Sequence, residues 1–131
     1  MSQENVEVAR TLVEAWNARD MDAFGGLLAP DVVLRLPEGW PEPGPYVGRE
    51  AAMRQFGQNR EVFDTDTLEP VSEFIGMGNR VLVRLIWRGV GHGPESVLEW
   101  TTISTVRKGS VINIEYFWDH AEALKAVGLE E

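Results

Sequence analysis

The chain has 131 residues, of which 44% are hydrophobic and 25% charged, and it carries a formal net charge of −9, no cysteine and two histidines. That length and balance suit one soluble globular domain spanning 1–131 with a core of its own. The acidic surplus speaks against a sequence-independent nucleic-acid binder, which needs a basic face, and against docking on an anionic membrane.

The N-terminal stretch MSQENVEVAR has no basic segment followed by an apolar core, so no signal peptide is expected. Ser2 can cap a first helix that opens with Glu4 and Glu7 at its positive end, and Val6, Ala9, Leu12, Val13 and Trp16 recur at helical spacing. Asp20 can cap a second, shorter helix over 21–28, weakened by Gly25 and Gly26 and ended by Pro30. A short strand over 31–36 follows, with Val32, Leu34 and Leu36 alternating against Val33 and Arg35. Residues 37–47 hold four prolines and two glycines and read as a long loop of the kind that serves as a lid or binding loop; Trp40 and Tyr46 sit in it. A third helix is predicted over 49–63, with Ala52, Phe56, Val62 and Phe63 on its buried side.

A strand over 67–76 is interrupted by Pro70, which places it at an edge or a bulge. Three apolar stretches then follow, RVLVRLIWRG, SVLEWTTISTVR and VINIEYFWD, rich in β-branched and aromatic residues and bounded by glycine. They read as antiparallel strands. Val81, Val83, Leu85 and Trp87 share one face of the first; Ile112, Ile114, Tyr116 and Trp118 share one face of the last. The opposite face mixes charge with Leu82, Ile86, Ile103 and Phe117, too apolar to leave bare, and predicts a homodimer through that side of the sheet. Lys108-Gly109-Ser110 is a tight hairpin connection. Asp119 begins a D-x-x-E capping pattern ahead of a last helix over 120–127, ended by Gly128.

The order is helix, helix, strand, helix, then strands and a terminal helix. It predicts an α+β fold, a cone-shaped curved antiparallel β-sheet wrapped over N-terminal helices and open at one end. The segments VARTLVEAWNARDMDAFGGLLAPDVVL, YVGREAAMRQF, VRKGSVINIEYFWD and AEALKAVGL resemble the SnoaL-like branch of the nuclear transport factor 2-like superfamily, across essentially the whole chain. The resemblance implies that cone. Function it leaves open, because the superfamily hosts isomerases, cyclases, hydrolases and non-catalytic binding modules. Matched to ketosteroid isomerases, the positions of the tyrosine and the base fall on Leu12 and Leu36 and that of the sheet aspartate near Thr102, so none of the three groups is present. Matched to limonene-epoxide-hydrolase-like members, Arg84 and Glu115 supply two groups of an Asp–Arg–Asp set, but the third falls on Ile86. Both charged residues lie on the outer face, where they read as a charge ladder with Glu99. The stretch 100–104, where SnoaL-type cyclases place a carboxylate, offers only hydroxyls.

A cavity with an apolar, aromatic lining is expected: Trp16, Leu34, Leu36, Phe56, Val83, Leu85, Trp87, Trp100, Tyr116 and Trp118, with Thr102 as a hydroxyl and Tyr46 from the loop. Asp119 and His120, at the expected mouth, are the candidate acid/base pair; the structural reading of the same two residues is a helix cap and a first-turn residue. His92, in a glycine loop, reads as exposed. The chain has no Walker loop, dinucleotide fingerprint or HExxH motif, and no cysteine for a thiolate or zinc site, so neither metal nor cofactor is expected. No apolar run approaches ~18 residues, and the lack of cysteine fits a cytoplasmic location. Three functions remain open: a binding domain for a hydrophobic small molecule, a cofactor-independent isomerase, cyclase or hydrolase using Asp119 and His120, and a dimerisation module with a filled core.

Overall fold

The computed structural model describes residues 2–61 and 63–129, and the side chains of all of these except Ser2 and Asn59. The capping role expected of Ser2 and the buried role expected of Val62 lie outside that description. The elements are α1 (Ser2–Asn17), α2 (Met21–Gly26), β1 (Leu28–Arg35), β2 (Tyr46–Val47), α3 (Arg49–Glu61), β3 (Thr65–Pro70), β4 (Ile75–Met77), β5 (Arg80–Val90), β6 (Ser96–Arg107), β7 (Ser110–Phe117) and α4 (His120–Ala126). The strands form one sheet in the order β2-β1-β7-β6-β5-β3, with β4 also on β5. No helix among the described residues is long and apolar enough to cross a membrane.

Helix α1 buries the stripe its periodicity predicts, Val6, Ala9, Leu12, Val13 and Trp16, against the concave face of the sheet. Asp20 caps α2, its carboxylate accepting from Ala23 N at 3.0 Å. α2 stops at Gly26, two residues earlier than the spacing suggested, and Leu28 begins β1, three residues earlier. Phe24 of α2 and Ala52 and Phe56 of α3 pack with Leu28, Val32 and Leu34 of β1 into the main core cluster. Pro70 divides the expected strand over 67–76 into β3 and β4, and each pairs with its own half of β5. Proline donates no ladder bond, and Pro70 closes β3 on the outer edge of the sheet.

In three places tertiary contacts changed what the local pattern predicted. First, the sheet is not wholly antiparallel: β1 runs parallel to β7, with a shift of register between Leu28 and Val33. Pro30, which lacks an N–H, lies inside that shift. Second, the hairpin joining β6 and β7 carries a bulge. Thr105 pairs with Asn113 but Val106 with Val111, so Ile112 is the extra residue. The bulge turns Val111, expected on the outer face, into the core beside Leu28 and Val106, fully buried. Lys108 and Gly109 both take positive φ, 52° and 80°, as a two-residue type I′ hairpin requires. Third, α4 folds back over the outer face. Ala123 packs with Leu82 and Ile103, flanked by Phe117, Leu124 and Val127. Leu82 and Ile103, two of the residues that motivated an open pairing face, are thus covered by the chain's own last helix. Beside them Arg84 and Glu99 form an exposed ion pair, as the charge-ladder reading expects.

Candidate functional site

Between the inner face of the sheet and the helices lies a cavity of about 490 Å³. Its floor is helical: Leu12, Val13 and Trp16 come from α1, Phe24 from α2 and Phe56 from α3. The rings of Trp16, Phe24 and Phe56 meet edge-on or tilted at centroid distances of 5.1–5.8 Å, contacts worth about 0.5–1.5 kcal/mol each beyond their burial. The sheet supplies Val83, Leu85 and Trp87 from β5, Trp100, Thr102 and Ser104 from β6, and Ile114 and Tyr116 from β7. Leu36, Pro37 and Trp40 close it from the loop after β1. No charged side chain is among the described residues that line it. Burial of the Tyr116 phenol lifts its pKa well above the ordinary range, so Tyr116 stays protonated.

Of the residues expected in the wall from the strand alternation, Val83, Leu85, Trp87, Trp100, Thr102 and Tyr116 border the cavity, and Trp16, Leu36 and Phe56 join them. Three other residues expected there lie elsewhere. Leu34 is fully buried in the core cluster behind the wall. Tyr46 packs on that cluster from β2, its hydroxyl donating to the Glu42 carbonyl at 2.7 Å. Trp118 is 43% exposed at the rim, tilted against Trp100 and Trp40 at 6.3 and 6.0 Å, with its indole N–H donating to the Glu38 carbonyl at 3.0 Å. β7 ends at Phe117, so the alternation that would have carried Trp118 inward stops one residue short.

Asp119 and His120 do not line the cavity. The Asp119 carboxylate accepts from Ala121 N at 2.9 Å and caps α4. His120 Nδ1 shares a 2.8 Å hydrogen bond with Thr101 Oγ1, on the outer face of β6 away from the cavity wall. Removing the cap by Asp119→Ala should lower stability by about 1 kcal/mol, while Asp119→Asn stays within about 0.5 kcal/mol. Urea unfolding of the two variants checks this, and ligand binding should be unchanged in both.

Sequence reading missed the buried node behind the wall. The Asp66 side chain of β3 is 1% exposed. One of its oxygens accepts the indole N–H groups of Trp16 and Trp87, each at 2.9 Å. The other faces Arg60, with Nε at 2.9 Å and Nη2 at 2.7 Å, and Arg19 at 3.3 Å. Arg60 also donates to the Trp16 carbonyl at 3.1 Å and lies over the Trp16 ring at 4.1 Å. Two cavity-wall tryptophans, from α1 and β5, are thereby held by one carboxylate. In the sequence Asp66 is an ordinary charge between two threonines, and nothing local marks it.

The chain matches the family model for the SnoaL-like domain over residues 9–114. Curated proteins give no significant match. Among solved structures it is similar to a nuclear transport factor 2-like protein of unknown function from Burkholderia pseudomallei, with 24% identity, 95% of this chain and 98% of that one covered, and a TM-score of 0.77. It is also similar to TerC, co-crystallised with polyporic acid, at 23% identity, 93% and 96% coverage and a TM-score of 0.77. A candidate polyketide cyclase from Sinorhizobium meliloti follows at 23% identity, 84% and 93% coverage and a TM-score of 0.70. At such identities the likeness speaks for the fold, as the resemblance read from the sequence implied. With its helices over a curved sheet and a family match that spans most of its length, the chain belongs to the SnoaL-like domain family.

Proposed function

We propose that this domain binds a hydrophobic, ring-containing small molecule in the cavity and performs no acid–base chemistry on it. The observation that carries this reading is the cavity itself: about 490 Å³, walled by tryptophan, phenylalanine and aliphatic side chains, and without a carboxylate, imidazole or amine among the described residues that line it. Aromatic walls bury flat apolar rings well. General acid–base catalysis needs a group that changes protonation near neutral pH within reach of the ligand. A cyclase or isomerase reading with Asp119 and His120 as that pair has less support, because one caps α4 and the other is bonded to Thr101.

The test is titration with N-phenyl-1-naphthylamine, a neutral apolar dye. Saturable binding at one dye per chain, with quenching of tryptophan fluorescence, is expected. Absence of saturable binding would mean that the core is effectively filled and the reading wrong. We also propose that two copies pair through the part of the outer sheet face that α4 leaves open. Ile86 is half-buried there and Val97 is 49% exposed. Light scattering at micromolar concentration should give the mass of a dimer, and a monomer would remove this second element.

A further inference from the structure

Asp66 and Thr101, behind the cavity wall, have hydrogen-bond partners; Thr102, Ser104, Tyr116 and Trp100, in the wall, have none for their side chains among the described residues. Asp66 takes up the indole N–H groups of Trp16 and Trp87, and His120 takes up Thr101. Thr102 and Ser104, the alternate residues facing inward on β6, are 6% and 5% exposed. Thr102 sits directly across the ladder from Tyr116 on β7. All three side chains line the cavity, and none of their oxygens has a hydrogen-bond partner among the described residues. Trp100, in the same wall with its ring 5.4 Å from that of Tyr116, has a buried indole N–H that is also without a partner.

Each of these groups carries a proton to donate. Among the described residues the lining offers no carboxylate or imidazole to receive them. A hydrocarbon in the cavity would exclude water and leave the hydroxyls unpaired, which buried polar groups rarely tolerate. A carboxylate or phosphate would give up its hydration with no cation in the wall to replace it, inside a chain already at −9. A carbonyl oxygen fits both constraints: it accepts two hydrogen bonds and carries no charge. Resting on the reading of the cavity as a small-molecule site, we infer that the ligand is a neutral ring system whose carbonyl oxygen seats against Thr102, Ser104 and Tyr116. The apolar remainder of the ring then lies on the tryptophan and phenylalanine walls.

The test uses three probes of one shape in competition with N-phenyl-1-naphthylamine: 9-fluorenone, a ketone; fluorene, its hydrocarbon; and fluorene-9-carboxylate, an anion. Fluorenone should bind about 5-fold more tightly than fluorene, and the carboxylate about 10-fold or more weakly than fluorenone. Thr102→Val and Tyr116→Phe, which keep the shape of the wall, should each reduce the advantage of fluorenone over fluorene to about 2-fold or less. Cooperative urea unfolding of the two variants shows that they are folded. Equal binding of fluorenone and fluorene to the parent protein overturns the inference, as does an advantage that survives both substitutions or a preference for the carboxylate. If the dye and fluorene bind while fluorenone gains nothing, only the carbonyl subsite falls. If none of the probes binds, the small-molecule reading falls with it.

Discussion

Asp66→Asn should lower the stability of the domain by about 3–5 kcal/mol, the loss expected when one partner of a buried ion pair is removed. Every group that faces the carboxylate is a donor: two indole N–H groups, the Arg60 guanidinium and Arg19. A carboxylate accepts on both oxygens and can serve all of them. An asparagine accepts on one atom only and turns an NH2 towards donors on the other. It also leaves Arg60, whose side chain is 8% exposed, buried without a counter-charge. Urea unfolding should therefore show a much lower midpoint with little change in slope. Arg19→Ala is the matched control. Its side chain is 46% exposed and its contact with Asp66 is longer, so solvent screens the pair and the loss should be about 0.5 kcal/mol or less. An Asp66→Asn protein as stable as its parent would show that the node contributes nothing.

Trp100→Ala should weaken N-phenyl-1-naphthylamine binding, by about as much in free energy as it weakens the fold. Trp100 is the centre of the aromatic wall, 6.4 Å from Trp87 in a stacked arrangement and 5.4 and 6.3 Å from Tyr116 and Trp118. Removing roughly 80 Å² of apolar ring face from a ligand contact is worth about 2 kcal/mol, or about 30-fold in affinity. The loss of stability should be about 2 kcal/mol, below the usual range for a buried tryptophan, because part of the ring borders empty space and its N–H has no partner to lose. Fluorescence titration and urea unfolding on the same preparation separate the two effects. Full dye affinity in Trp100→Ala would mean that the dye binds outside this cavity. The pair of variants thus divides the site into the node that holds the tryptophans and the wall that a ligand touches.

What the sequence determined by itself was whatever a period of 2 or 3.6 can write into neighbouring residues. The stripe from Val6 to Trp16 is spaced for one helix face and lies on the sheet. Val83, Leu85 and Trp87 alternate along β5, as do Trp100 and Thr102 along β6, and they line the cavity because side chains of a strand point to opposite faces by turns. The Asp20 and Asp119 caps were legible for the same reason, since each carboxylate meets a backbone N–H two or three residues on. The family resemblance extended this to the whole cone.

Only the tertiary structure could decide what depends on contacts between distant segments. The alternation of β7 fails at Ile112 because register is a property of two strands, and the bulge opposite Thr105 and Val106 appears in neither strand alone. Leu82 and Ile103 look like an open face until α4 is laid over them. Asp66 lies 50 residues from Trp16 and 21 from Trp87, so its meaning exists only once α1, α3, β3 and β5 have packed together. A charged residue in a sequence carries no mark of burial. Its desolvation becomes tolerable only when the fold brings every compensating donor to it at once.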